Sequence, residues 1–322
     1  MSLEFNLIET LCQNFSKNKI KKSIGDDTAV IEQKDGTYQL ITVDALVEND
    51  HFSCAWSSPL QIGKKAIEVN VSDIAAMGGI PQYVLISLVI NKKINKPWLK
   101  KLYQGIQTTC EKYKIELIGG DTTHGQEIVI SITMIGKTDK KNLCLRSQAQ
   151  NNDLICITGQ AGASAACYLA LQQGLKISKI PEKIKNKHLE PQSRLEASKV
   201  ISKYAHAMID VSDGIGSEVK HIARESEKGA ILYQEKIPVM AEVLSLEKKI
   251  KLPAYSCALS GGEDFELLFT ISPKNMKILK KYFQDFSVIG EIQADPKILQ
   301  LIVNNKIKKI PDGYDHLLQK EK

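Results

Sequence analysis

Short apolar runs alternate with longer amphipathic segments along most of the chain. In the first half, runs of strand length occur at residues 36–44, 81–90, 115–121 and 128–136. Between them, residues 58–79 and 96–114 carry the apolar spacing of helices, and each has a proline near its start. The longer of these segments closes on a pair of glycines, which is typical of a helix end.

The same alternation restarts after a polar stretch, residues 137–153, which we interpret as a domain boundary. The second half predicts strands at 154–159, around 207–210, at 229–234 and at 265–271, and helices at 164–174, around 194–204 and before 226. Alternating elements of mixed length are typical of α/β or α+β domains, and a chain of 322 residues fits two domains better than one. We therefore predict domains at residues 1–138 and 139–322.

Composition narrows the functional classes. No apolar run approaches the ~20 residues of a membrane span, and the acidic N-terminus lacks a secretory signal, so we expect a cytoplasmic protein with no membrane partner. The seven cysteines are scattered and never spaced C-x-x-C, which favours small buried thiols over disulfides or zinc. The net charge of +6 comes from dispersed lysines with only 6% aromatic residues, so we expect solvated faces and no nucleic acid partner.

Acidic residues beside glycines, at predicted strand ends or on an apolar helical face are the main candidates for chemistry. The stretch "SIGDDTAVI" puts Asp26 and Asp27 where a strand is about to begin, although Asp is depleted in strands. Asp44 ends the run "LITVD" and Asp121 follows "IGG", so we expect both at strand ends that face a ligand cleft. Asp73 lies on an otherwise apolar helical face that also carries Asn70.

The second half repeats this pattern. "IDVSDG" holds Asp210 and Asp213 around Ser212, and "SGGEDF" holds Glu263 and Asp264. Each acid alone is compatible with ordinary turn chemistry. As a set they predict a site for hard divalent cations such as Mg²⁺, because we see no comparable arginines or lysines to pair with them. Neighbouring strand residues point to opposite faces, so one carboxylate of the Asp26–Asp27 pair suffices, and we favour Asp27.

No standard phosphate loop accompanies these acids. Neither G-x-x-x-x-G-K-[ST] nor G-x-G-x-x-G occurs. The segment "TGQAGASAAC" follows a predicted strand and opens a helix, so its amides could meet an anion. Close packing of helix on strand explains its small residues equally well.

The motifs, taken in order, resemble those of the thiamine-monophosphate kinase family. They are "GDDTAV", "VDALVENDHF", "NVSDIAAMGG", "IGGDTT", "IDVSDG", "LSGGEDFELLFT" and "PDGYDHL", and they span nearly the whole chain. That family belongs to the ATP-using superfamily typified by aminoimidazole ribonucleotide synthetase and selenophosphate synthetase. The resemblance implies an N-terminal mixed-sheet domain that binds metal and ATP and dimerises, and a C-terminal α/β domain that completes the substrate site.

The resemblance also implies roles for individual residues. The implied ligands of several Mg²⁺ ions are Asp27, Thr42, the backbone of Val43, Asp44, Asp73, Asp121, Asp210 and Asp213. The implied ATP contacts are Tyr103, Gly120, Asp121, Arg146 and Ser212. The implied thiamine-phosphate contacts are His51, Glu263 and Tyr314.

The implied reaction transfers the γ-phosphoryl group of ATP in line to thiamine monophosphate and gives thiamine diphosphate, the last step in making that cofactor. A phosphate acceptor has its second pKa near ~6, so no general base is required. Glu263 and the ring of Tyr314 would complement the thiazolium cation. The alternatives are another ATP-dependent member of the superfamily, acting on an amide or selenide, and a non-enzymatic basic protein with salt-sensitive binding to nucleic acid.

Overall fold

The computed structural model of the protein describes residues 3–12, 20–251 and 253–315. The first half comprises α1 (Leu3–Cys12), β1 (Ala29–Glu32), β2 (Thr37–Val47), α2 (Pro59–Ala76), β3 (Ile80–Ile90), α3 (Lys96–Tyr113), β4 (Glu116–His124) and β5 (Val129–Asp139). The second half comprises β6 (Leu154–Thr158), α4 (Ala163–Gln172), α5 (Glu182–Leu189), α6 (Leu195–Ile201), β7 (Ala207–Asp210), α7 (Ile215–Glu225), β8 (Gly229–Tyr233), α8 (Ala241–Ile250), α9 (Ala254–Ser260), β9 (Leu267–Ile271), α10 (Pro273–Leu279), β10 (Phe286–Gln293), β11 (Leu299–Val303) and β12 (Lys306–Lys309). Short 3₁₀ turns occur at Arg146–Gln148, Ile177–Lys179 and Gln234–Lys236.

The first sheet has five strands in the order β1-β2-β5-β3-β4. Its neighbours are antiparallel except β3 and β4, which run parallel and are connected through α3. Helix α2 packs on β2 and β5, and α3 packs on α2. The two helices approach closely because glycine stands at their contact: a Cβ on Gly63 would lie 2.1 Å from the Leu102 carbonyl oxygen, and one on Gly105 equally close to that of Leu60.

Helix α2 begins and ends as its sequence predicts. Ser58 caps its N-terminus, where the Ser58 hydroxyl accepts from the Gln61 amide and the Gln61 side chain accepts from the Ser58 amide. After Ala76 the chain turns at Gly78, whose φ of +68° favours glycine. Because α2 also contacts α6 and β7 of the second half, one helix joins both parts of the molecule.

The second sheet has seven strands in the order β12-β11-β8-β10-β6-β9-β7. Only the β8–β11 pair is parallel among the pairs described. Buried apolar clusters form in both halves, the first of them including Leu195 and Phe265 from the second half, and residues 140–153 connect the two sheets along the chain. The α/β prediction is confirmed, and the predicted strands and helices of both halves are present.

Three details of the sequence analysis need correction. Asp44 does not end a strand, because β2 continues to Val47, and Asp121 lies inside β4. Asp26 and Asp27 precede β1 in a bend, so strand alternation does not separate them. Of the seven cysteines, five are buried thiols as predicted, but Cys54 is exposed.

In the part of the chain that the structure describes, no helix has the length and apolar character to cross a bilayer.

Candidate active site

Three carboxylates from distant parts of the sequence meet between the two sheets. Asp27 comes from the bend before β1, Asp73 from the last turns of α2, and Asp210 from the end of β7. One carboxylate oxygen of each lies within 4.8 Å of the others. The structure therefore brings together residues from both halves, with α2 as the shared support.

Hydroxyl groups orient these acids. Thr42 Oγ1 donates to Asp73 Oδ2 at 2.5 Å, and Ser72 Oγ donates to Asp210 Oδ2 at 2.6 Å. Burial raises the pKa of Asp73 well above its usual range, and the charges of Asp44 and Asp210 raise it further. Burial and the charge of Asp27 do the same to the pKa of Asp210. The protein holds these like charges together at an electrostatic cost that a bound cation would offset.

A buried guanidinium, that of Arg146, contacts this cluster. Its Nη2 donates to Asp27 Oδ1 at 2.5 Å, and its backbone amide donates to the Asp26 carboxylate. Asp26 also lies 3.8 Å from Lys22 Nζ and 3.8 Å from Arg146 Nε, so the two neighbouring acids share Arg146 and Asp26 has a second cation beside it. The expectation that no basic residue pairs with the acids was wrong, because Arg146 contacts Asp27 and has only 12% of its side chain exposed.

A cleft of about 1110 Å³ opens onto the acid cluster. Its lining includes Thr42, Val43, Asp44, Arg146 and Ser212. Burial and the charge of Asp27 raise the pKa of Asp44 to about 6. Asp27 Oδ2 is buried with no hydrogen-bond partner, and an orphaned carboxylate oxygen within a group of carboxylates suits a hard divalent cation.

A second cavity, of about 480 Å³, adjoins the first and is lined mainly by apolar groups. It contains His51, Asp213, Glu263 and Tyr314, four of the residues chosen from the sequence. The last described residues fold back over it: the Tyr314 amide donates to the Asp213 carbonyl at 3.0 Å, and its hydroxyl donates to Asp50 Oδ1 at 3.3 Å. Residues 316 and 317 of the "GYDHL" motif lie outside the described residues.

Three predicted residues line neither cleft. Tyr103 is exposed on α3, and Gly120 and Asp121 are exposed on β4, at the edge of the first sheet. A Cβ on Gly120 would lie 2.0 Å from the Ile86 carbonyl oxygen, so strand pairing alone accounts for this glycine. Within this chain, these residues are apart from the acid cluster.

The site also holds charged residues that sequence reasoning missed. Lys65, on α2, is buried, and its Nζ lies 2.6 Å from Glu263 Oε1. Glu218, in the first turn of α7, is buried and accepts from the Asp213 amide at 3.0 Å. One signal was available for Lys65: it shares the sequence of α2 with Asp73, eight residues away on a helix that buries most of its surface.

Comparison with known proteins agrees with this arrangement. Residues 25–138 match the family "AIR synthase related protein, N-terminal domain", and residues 150–301 match its C-terminal domain. The chain is 33% identical to the thiamine-monophosphate kinase of Bacillus subtilis (97% of this chain, 99% of the relative) and 38% identical to that of Buchnera aphidicola subsp. Schizaphis graminum (98% and 99%). The solved structure of AaThiL complexed with AMPPCP and TMP superposes with a TM-score of 0.85 at 32% identity (97% and 96%). The predicted resemblance is confirmed: the chain belongs to the thiamine-monophosphate kinase family, within the AIR synthase related proteins.

Proposed function

We propose that the protein phosphorylates thiamine monophosphate with ATP, giving thiamine diphosphate and ADP. One observation carries this proposal: the acid-lined cleft and the largely apolar cavity share the lining residues Asp44 and Ser212. A nucleotide with its metal fits the first space and a small heterocyclic phosphate fits the second. Their common wall is where a phosphoryl group would pass between them.

The carboxylates are the proposed holders of several Mg²⁺ ions. Asp27, Asp44, Asp73 and Asp210 would bind metal with Thr42 and the Val43 backbone, and Asp213 would hold a further ion. When bound, the metal supplies positive charge that lets two polyanionic substrates approach and stabilises charge on the transferring group. Oxygen ligands of this kind favour Mg²⁺ over softer metals.

The chain's own residues position the two phosphates. Arg146 offers a guanidinium that suits the phosphate oxygens of ATP, and the Ser212 hydroxyl lies where the two clefts meet. The acceptor phosphate is already largely ionised near neutral pH, since its second pKa is ~6, so no residue is needed as a general base. His51, Glu263 and Tyr314 surround the cavity for the thiamine part.

We also propose that the working unit is a homodimer. All nine residues of β4 are exposed, and its edge presents apolar side chains such as Leu117 and Ile118 at 47% and 51% exposure. Gly120 and Asp121 lie on this edge strand, and Tyr103 is exposed on α3, the helix that precedes it in the chain. Pairing through β4 would explain why these three candidates for ATP and metal contact are remote from the cleft of their own chain.

We propose that the two halves of the chain, each with its own sheet, have different binding functions. Residues 1–138 would bind metal and ATP and form the dimer, and residues 139–322 would complete the thiamine-phosphate site through Glu263 and Tyr314. A cytoplasmic location fits an enzyme that consumes ATP. We expect neither nucleic acid nor membrane as a partner.

The proposal is tested by separating thiamine species by chromatography after incubation of the purified protein with ATP and thiamine monophosphate. Formation of thiamine diphosphate supports it. The decisive contrary result is ATP consumption with an amide or selenide acceptor and none with thiamine monophosphate, which would assign the chain to a sister activity of the superfamily.

A further inference from the structure

A lysine is buried between the two parts of the proposed thiamine site. Lys65 has 3% of its side chain exposed and projects from α2. Its ammonium group donates to the His51 carbonyl oxygen at 2.8 Å and lies 2.6 Å from Glu263 Oε1. It therefore connects the loop after β2, which carries His51, with the loop after α9, which carries Glu263.

The Glu263 carboxylate is held from two sides. Besides Lys65, its Oε2 lies 3.3 Å from His188 Nδ1, and that nitrogen lies 3.0 Å from Ser164 Oγ. The backbone at Glu263 has φ +64°, a conformation that costs energy for a residue with a side chain. The strained backbone conformation thus occurs at the residue whose carboxylate forms part of the cavity wall.

The charge balance changes the role expected for Glu263. Burial raises the pKa of Glu263, but the charge of Lys65 and the hydrogen bond with His188 lower it to about 2, and burial together with Lys65 lowers the pKa of His188. His188 is thus neutral, and the positive charge of Lys65 already compensates Glu263. A compensated carboxylate acts on a ligand mainly as a hydrogen-bond acceptor, so it suits an N–H donor of the substrate better than the thiazolium charge.

We infer that Lys65 is a positioning residue for substrate recognition, which fixes the Glu263 carboxylate and the His51 loop in the orientation that binds the aminopyrimidine end of thiamine monophosphate. This inference rests on the proposed function. Lys65 acts through Glu263 and His51, since Lys65 itself does not line the cavity.

A second buried charge on the same helix, Glu68, which pairs with Lys112 of α3, provides a matched control. Glu68, three residues after Lys65, is buried and accepts from Lys112 Nζ at 2.8 Å and from Tyr113. None of these three residues lines either cleft. Removing Lys112 therefore deprives a buried carboxylate of α2 of its cation without touching the proposed substrate site.

The experiment compares wild type, Lys65→Gln and Lys112→Met by steady-state kinetics, by calorimetric binding of thiamine monophosphate without ATP, and by thermal melting. We expect Lys65→Gln to raise the KM and the Kd for thiamine monophosphate roughly tenfold or more while the KM for ATP stays unchanged, because the acceptor is no longer fixed. Lys112→Met should lower the melting temperature and leave both KM values at wild type.

Two results would overturn the inference: an unchanged Kd for thiamine monophosphate in Lys65→Gln, or equal rises in both KM values in Lys65→Gln and Lys112→Met. If Lys65→Gln does not melt cooperatively, Lys65→Arg takes its place with the same criteria. The guanidinium N–H groups of arginine occupy positions different from those of the lysine ammonium group, so they would not hold Glu263 and His51 in the same way. Failure of the proposed function itself is distinguishable, because the wild type would then make no thiamine diphosphate.

Discussion

The guanidinium of Arg146 lies 2.5 Å from the carboxylate of Asp27, inside the group of acids that the structure assembles from three elements. Arg146 belongs to the segment between the two sheets, whereas Asp27 belongs to the first half of the chain. The contact places one fixed positive charge against a cluster whose other members repel each other. Arginine and metal thus compete for the same carboxylate.

Replacing this arginine should make the protein depend on metal for stability. Arg146→Met leaves Asp26 and Asp27 without the guanidinium, and breaking a buried pair in this way costs ~3–5 kcal/mol. We expect a lower melting temperature in EDTA and a larger gain on adding Mg²⁺ alone than the wild type shows. Thermal melts with and without Mg²⁺ measure this.

Arg194→Met is the control for that experiment. Arg194 donates to the buried Glu266 at 2.5 and 2.9 Å, and neither residue lines the two clefts. The variant should be destabilised equally with and without Mg²⁺. Equal Mg²⁺ responses in Arg146→Met and wild type would contradict competition between arginine and metal.

Asp73→Asn should separate stability from activity. Asp73 is half-buried, and the charges of Asp27, Asp44 and Asp210 raise its pKa, so removing its own charge relieves repulsion and the metal-free protein should melt at the same or a higher temperature. The variant should lose activity by a factor on the order of 10²–10³, because charge stabilisation at the transferring phosphoryl group weakens. Melting in EDTA and kcat with Mg²⁺ are the measurements, and a fully active variant would exclude Asp73 from the metal site.

The metal-free protein should become more stable as the pH falls from 8 to about 6.5. Burial raises the pKa of Asp26 to about 7 and that of Asp44 to about 6, so the folded state binds protons that the unfolded state does not hold until about pH 4. The free energy of unfolding then rises by up to ~1.4 kcal/mol per pH unit for each proton taken up.

Below about pH 6.5 the buried histidines oppose this trend. Burial lowers the pKa of His221 to about 3, so below pH 6.5 the unfolded state binds a proton that the folded state does not, and this contribution reduces the gain in stability from the acids. Mg²⁺ should flatten the slope between pH 8 and 6.5, because bound metal keeps ligands such as Asp44 ionised and its positive charge lowers the pKa of the neighbouring Asp26. Denaturant melts across this range test the prediction, and equal slopes with and without Mg²⁺ would refute it.

A charge on the exposed edge strand should break the proposed dimer. Ile118→Lys puts an ammonium group on β4, where pairing with a second copy would bury it. We expect a monomer in light scattering, with activity lowered at least tenfold because Tyr103 and Asp121 no longer reach a partner's cleft. Ile307→Lys is the control: Ile307 is 67% exposed on β12, the edge of the other sheet, and its variant should stay dimeric and active. A fully active Ile118→Lys monomer would disprove a shared site.

Local signals were sufficient to predict most elements from the sequence. The Ser58–Gln61 cap and the glycine after Ala76 bound α2, and alternating apolar residues mark β2 and β5. Asp44 was predicted at a strand end, but β2 continues through it to Val47. A polar residue that faces a cleft interrupts the apolar pattern, so the pattern alone indicates a strand end at that position.

The charge pairs could not be predicted because they depend on contacts between distant segments. Arg146 and Asp27 are 119 residues apart, and Lys65 and Glu263 are nearly 200 apart, so nothing in the local sequence of either partner identifies the other. The acids were found because each stands beside a glycine, at a predicted strand end or on an otherwise apolar helical face. Their basic partners stand in ordinary helical or loop sequence, and they become conspicuous only when burial is known.

³¹P NMR of the purified protein with ATP and thiamine monophosphate, recorded with and without Mg²⁺, tests the proposed reaction itself. We predict equal amounts of thiamine diphosphate and ADP with Mg²⁺ and unchanged spectra without it. An ATP spectrum that stays unchanged with Mg²⁺ and thiamine monophosphate, in a protein that is folded and stabilised by nucleotide, would contradict the assignment of this substrate.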